Sequence, residues 1–470
     1  MAGVGQSSRI AGVVRAAGAI ALAMLAWTAV VGYGVLAGWW HRGLAPVGDT
    51  AAFMAAARQM TSAEPHGDVA IALVTKGQVA DEHYAGVVDA VNRETMFPVA
   101  SMSKWVTAVG VMQLVREGRI DLDAPVTRYL TRWTLPASQF DLQGVTTRRL
   151  MSHTAGLTDG LGFADYRLDE RVPTLEESLR APRASSGQPT AIAVGFEPGS
   201  RWQYSGGGYL ILQLLVEEVA QQPFATYMRH AVLDPLEFSC SSFGSSATTN
   251  VAEAFDTAGR PAPRFQYAAA AATGFSTCVR DMVRWVQGHV QNGPAAPLDA
   301  DLLRRMREPH GKQFGADIWG LGTMLYAPTP GGAFVFGHDG QNEPAINAAV
   351  RINPDNGDAI VVLTSGGRRL ATRLGSEWTY WQTGGPDFLV IGTAVREAVV
   401  PLVAGWAAVL VAAVLYGRAR RRATRHIGAP LERRGGPLFS RSEARLPAES
   451  RQLGSLESRR TSWQRHTAPG

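Results

Sequence analysis

The sequence predicts an α/β protein: an antiparallel sheet flanked by helices, with a mostly helical subdomain inserted into it and an apolar helix on either side. Three observations lead there. Strand patterns come in pairs at both ends of the central segment, at residues 69–74 and 79–84 and again at 345–352 and 358–364. The stretch between them carries helical periodicity, and two long apolar runs bracket the whole.

The first apolar run, residues 16–40, follows Arg9 and Arg15 and ends on Trp39 and Trp40. Spanning a bilayer of about 30 Å takes about 20 helical residues, and basic residues stay on the cytoplasmic side, so residues 1–15 are expected inside. A cleavable signal peptide is the rival reading, with a small-residue site at residues 35–37. An apolar core longer than the roughly 7–15 residues of such peptides favours an uncleaved anchor.

The outward domain, residues 45–388, follows a linker around residues 43–49. Residues 51–60 read as an amphipathic helix, and Lys76-Gly77 turns the first strand into the second. Helices are expected at 105–117, 210–220 and 281–290. Asn353-Pro354-Asp355-Asn356-Gly357 joins the last two strands, and a helix at 370–381 closes the domain.

The second apolar run, residues 398–416, leads into Arg418, Arg420, Arg421, Arg422 and Arg425, which places that end in the cytoplasm. From Gly417 onward there are thirteen Arg and four Glu, so this tail carries +9 in a chain of net charge +5 and the remainder is −4. A solvated, disordered tail at 417–470, attracted to anionic lipid, is expected, and nucleic-acid binding is not. Cys240 and Cys278, the two cysteines, would lie outside, where an oxidising compartment lets them pair. Their spacing does not suit zinc. No metal or organic cofactor is expected.

Chemistry concentrates in three segments. In Phe97-Pro98-Val99-Ala100-Ser101-Met102-Ser103-Lys104, a helix start puts Lys104 one turn after Ser101, on the same face. A serine hydroxyl needs a neighbour that removes its proton; a lysine amine can do so and an arginine cannot. The chain has only three lysines, Lys76, Lys104 and Lys312, among 45 basic residues. A lysine here therefore points to a group that must deprotonate. Tyr204-Ser205-Gly206-Gly207-Gly208 offers a phenol that can relay a proton and glycines that let backbone approach a ligand. Phe336-Gly337-His338-Asp339-Gly340-Gln341 reads as a strand whose edge could present an N–H to an oxyanion, with His338 as donor or cation to a substrate carboxylate.

The order Ser101-x-x-Lys104, Tyr204-Ser205-Gly206, His338-Asp339-Gly340 resembles the three active-site motifs of the serine β-lactamase and penicillin-binding-protein superfamily, nearest its class C β-lactamase-like branch. Leu150-Met151-Ser152-His153-Thr154-Ala155-Gly156-Leu157 is similar to a segment of that branch. So is the stretch from Phe275 to Trp285, where Thr277 would cap a helix. The resemblance covers about residues 51–381 and implies the β-lactamase/transpeptidase-like fold. It implies Ser101 as nucleophile, Lys104 and Tyr204 sharing proton transfer, and backbone N–H groups of Ser101 and Gln341 as the oxyanion hole. His338, Gly340, Gln341 and Gly206 would line the substrate, and His153 would be structural.

Two departures shape the expected function. Gly206 stands where the family usually has Asn, and Asp339 stands where a hydroxyl usually meets the substrate carboxylate. Asp339 should repel anionic substrates unless a cation pairs with it. The expectation is a serine hydrolase on a small-molecule or peptide ester or amide, esterase or D-amino-acid peptidase in type, with weak β-lactamase activity at most. The alternative is a non-catalytic or slow receptor for penicillin or a wall fragment, signalling through the tail. Pocket walls are expected from loops 160–184 and 248–272.

Overall fold

A computed structural model describes residues 3–63, 67–160, 164–184, 187–244, 249–290, 296–342, 345–367 and 369–427. The chain divides into two units, residues 1–410 and 411–470.

In the first unit, eight strands form one antiparallel sheet. Across it run Gln78–Ala85, Val69–Thr75, Asp358–Ser365, Ile346–Asn353, Phe334–Asn342, Met324–Pro328, Ala316–Trp319 and Gly311–Gln313. The N-terminal hairpin pairs with the last strand, Val69 opposite Thr364 and Leu73 opposite Ile360. The two strand-rich ends of the sequence thus meet in one sheet around the insertion, as expected.

Alternation along the strands sorts side chains into two cores. Ala70, Ala72 and Val74 join Trp105, Trp285, Phe336 and Val350 on the face of the helical insertion. Ile71 and Leu73 join Phe53, Val335, Ile360, Leu374 and Trp378 on the other, beneath the helices Thr50–Ala63 and Leu370–Thr383. With both faces covered, the central strands are apolar at nearly every position. The insertion is organised by Ser103–Arg116, Gly207–Ala220 and Val279–Val290; Trp105 and Trp285 meet edge to face at 5.2 Å.

Several details correct the sequence reading. The first apolar helix is Gly3–Leu36, not residues 16–40. Gly38, in the left-handed region at φ +70, helps turn the chain out of it, and the Trp40 indole N–H folds back onto the Val31 carbonyl at 3.1 Å. Thr277 does not cap its helix; it ends the strand Phe275–Thr277, and its hydroxyl is 2.7 Å from that of Ser241. The last helix, Val399–Ile427, runs through residues 417–427 of the segment expected to be disordered from Gly417, because alanine and arginine propagate a helix well. The tail beyond residue 427 lies outside the described residues, as do residues 161–163 and 248 of the two expected pocket-wall loops.

Cys240 and Cys278 form a disulfide beside Asp281, whose carboxylate accepts from the Ser239 and Cys240 N–H groups and the Ser241 hydroxyl. Where the first helix meets the domain, the His41 imidazole bridges Glu377 and Glu397 at 3.0 and 3.1 Å. The hydrogen bond to Glu377 is the main cause that raises its pKa to about 9.

Candidate active site

Ser101 sits on a turn pinned from both sides. The strand Phe97–Pro98 pairs with Phe275–Thr277, the Val99 N–H donates to the Phe275 carbonyl, and the Phe275 N–H donates to the Ser103 hydroxyl at 2.9 Å. Ala100 is held at φ +44. A non-glycine residue there costs about 1–2 kcal/mol, which the surrounding bonds offset. The chain leaves this turn into the helix Ser103–Arg116, so Lys104 falls one turn beyond Ser101.

Lys104 Nζ is 3.2 Å from Ser101 Oγ and 2.9 Å from the Ala272 carbonyl oxygen. Its side chain is buried, with the rings of Tyr204 and Tyr209 at 5.1 and 5.6 Å. The Tyr204 hydroxyl reaches the same Ser101 Oγ at 3.0 Å. Lys104 and Tyr204, far apart in the chain, thus converge on one oxygen.

Tyr204 is set by packing that the sequence did not reveal. Its ring lies 4.3 Å from His153 and 5.6 Å from Trp319. His153 Nδ1 accepts the Ser205 N–H at 3.2 Å. Burial holds the His153 pKa well below the usual histidine range, so the ring is neutral. The next residues wrap a second anchor: Asp159 accepts from the Ser205 hydroxyl at 2.5 Å and the Gly207 N–H at 2.7 Å, at the start of Gly207–Ala220. A carboxylate at a helix N-terminus satisfies donors that have no partner within the helix. Burial is the main influence on Asp159 and raises its pKa. Gly206 is the cap residue just before that helix and has no side-chain amide.

The third segment lies on the strand Phe334–Asn342. Gly340 is pressed against the serine turn: a Cβ there would stand 1.9 Å from the Val99 carbonyl oxygen, so only glycine fits. Gln341 is next along the strand and exposed. His338 is 1% exposed, and its Nδ1 donates to the Asp339 carbonyl at 2.6 Å. Burial, reinforced by the Lys104 charge, lowers its pKa to about 3. The imidazole is therefore neutral; of the two roles expected of His338, donor or cation, the cation does not apply.

Asp339 meets the condition set for it, pairing with a cation. It projects to the opposite side of the strand from Gly340, where Arg351 Nη2 is 3.2 Å from each of its oxygens and the Tyr326 hydroxyl is at 2.7 Å. Alternation along the strand carries it away from the serine, and Arg351 supplies the cation that sequence alone did not identify.

Ser101, Lys104 and Tyr204 are brought into direct contact, and Gly340 packs on the turn that holds them. Asp159 and Ala272 were not among the expected site residues, and His153, expected to be structural, packs beneath Tyr204. Of those two, Asp159 carried a local signal, as an acid close to the His153-to-Leu157 segment; a backbone carbonyl such as that of Ala272 has none.

The Beta-lactamase family model matches residues 55–382. Esterase EstB of Burkholderia gladioli is 31% identical over 211 residues, covering 41% of this chain and 51% of that protein. The chain spans about half, or less, of the length of the curated relatives it matches first. Among solved structures, the octameric penicillin-binding protein homologue from Pyrococcus abyssi superposes with a TM-score of 0.58 at 20% identity, covering 71% of this chain and 76% of that one. The D-amino acid amidase from Ochrobactrum anthropi SV3, complexed with D-phenylalanine, gives 0.54 at 19% identity, covering 74% and 99%. With a family match over residues 55–382, the chain belongs to the β-lactamase family, and these structures share its fold.

Proposed function

We propose that this protein is a membrane-anchored serine hydrolase that opens an ester or amide through an acyl-enzyme on Ser101. The observation that carries the reading is the Ser101 Oγ held between Lys104 Nζ at 3.2 Å and the Tyr204 hydroxyl at 3.0 Å. An unprotonated Lys104 amine, in concert with Tyr204, takes the Oγ proton as Oγ attacks the carbonyl carbon. The oxyanion is received by the backbone N–H groups of Ser101 and Gln341. The proton then passes to the leaving alcohol or amine, and water reverses the sequence to free the acid.

An ester-cleaving relative by name and an amidase of the same fold support the two substrate classes. Anchoring rests on Ala11–Leu36 and Ile391–Arg422, each long and apolar enough to cross a membrane. These helices also contact each other: the Trp27 indole donates to the Pro401 carbonyl and the Trp406 indole to the Thr28 hydroxyl. His41 follows the first and contacts Glu397, near the start of the second, which suits a domain facing outward with both termini in the cytoplasm.

Mass spectrometry of the full chain after a fluorophosphonate, beside Ser101→Ala, tests the reading. An adduct on Ser101 that the variant lacks is expected. Labelling of Ser101→Ala equal to wild type would remove the nucleophile. A parallel penicillin treatment separates hydrolase from receptor, since only a receptor or wall peptidase should keep a persistent adduct.

A further inference from the structure

A cavity of about 490 Å³ lies beside the serine turn and apart from the proton-transfer groups. Pro98 and Ser276, paired across the two short strands that support the turn, form one wall. Ile346 forms another; its strand partner is Asn342, two residues past Gly340. Val251, Ala254 and Phe265 add apolar surface. Neither Lys104 nor Tyr204 lines it, nor does any ring packed on Tyr204.

Its walls are tied in place. The Ala252 N–H donates to the Met96 carbonyl, and the buried Asp68 carboxylate accepts the N–H groups of Glu253 and Val87 at 2.8 and 3.0 Å. The two charges in the wall, Arg264 and Glu253, face each other at 3.6 Å, so the cavity offers no unbalanced charge to an ionic group.

Acyl transfer assigns the two halves of a substrate to different sides. The leaving group must take a proton, so it faces Tyr204 and Lys104. The acyl group bonded to Ser101 Oγ then extends the other way, along the strand Phe334–Asn342 toward Ile346. We infer that this cavity is the acyl-side binding site and takes an apolar acyl chain, making the substrate an ester or amide of a hydrophobic acid. This rests on the serine-hydrolase reading above.

The test compares p-nitrophenyl acetate, butyrate, hexanoate and octanoate on the full chain in lipid nanodiscs. Each buried methylene should raise kcat/KM about fourfold until the cavity fills. Ala254→Trp should lower the octanoate-to-acetate ratio about tenfold or more. Leu168→Ala, at a lining residue 57% exposed and so safe for folding, should lower it about threefold. A ratio unchanged in both variants overturns the inference. Calorimetric binding of octanoate reads the cavity independently of turnover: weakening of about tenfold by Ala254→Trp supports it, and equal or absent binding overturns it. Hydrolysis that survives Ser101→Ala would instead sink the underlying reaction.

Discussion

Arg351 Nη2 lies 3.2 Å from both carboxylate oxygens of Asp339, directly behind the strand whose other side packs on the Ser101 turn. Arg351 is fully buried, sits over the Tyr326 ring at 3.9 Å, and also pairs with the buried Asp387. Removing the guanidinium strands two buried carboxylates. Arg351→Met should therefore destabilise the domain by about 3–5 kcal/mol in denaturant melts. A loss below about 1 kcal/mol would show that the cluster is not held as described.

Charge at residue 104 is not enough for the proposed chemistry. Lys104→Arg keeps the cation and loses the group that can deprotonate, so kcat should fall at least about 100-fold with the fold intact by circular dichroism. Tyr204→Phe should cost about 100-fold or more as well. Wild-type turnover in either variant would move the base elsewhere.

The His41 bridge makes stability depend on alkaline pH. Its pKa is raised to about 9, so the stabilisation is complete below the ordinary value of 6.5 and is lost as pH rises through about 9. The melting temperature of wild type should drop between pH 7 and 10 by more than that of His41→Gln. Parallel curves for the two proteins would assign the loss to other groups.

Acid acts through different histidines. His289 and His338 are buried with pKa lowered to about 3, chiefly by burial, so each binds its proton in the unfolded chain first. Stability should fall as pH drops below 6.5, by up to about 1.4 kcal/mol per pH unit for each. His338→Asn should flatten that slope in urea melts between pH 6 and 4.

The disulfide closes a sequence separation of 38 residues, which in the chain-entropy account is worth about 4 kcal/mol. Cys240→Ser with Cys278→Ser should lower stability by roughly that amount. Thiol labelling of unreduced wild type should find no free cysteine.

Much of this protein was legible one residue after another, because period-2 and period-3.6 patterns are local. The paired strands, the closing helix, the apolar ends and the Ser101-to-Lys104 spacing all follow from neighbours along the chain. So did the candidate trio itself, once Tyr204 was read with its glycines. Exact helix ends followed less well: a left-handed glycine follows Leu36, and arginine's helix propensity carries the last helix beyond Gly417.

What the sequence determined by itself was the fold class and the candidate groups for the proposed reaction. Tertiary structure alone decided where their neighbours stand: that Asp339 turns from the serine to Arg351, that His338 is neutral, and that His153 and Asp159 brace the Tyr204 segment. The reason is physical. Burial, ion pairing and the side of a strand that meets another element depend on residues far apart in the chain, and sequence patterns report only on those nearby.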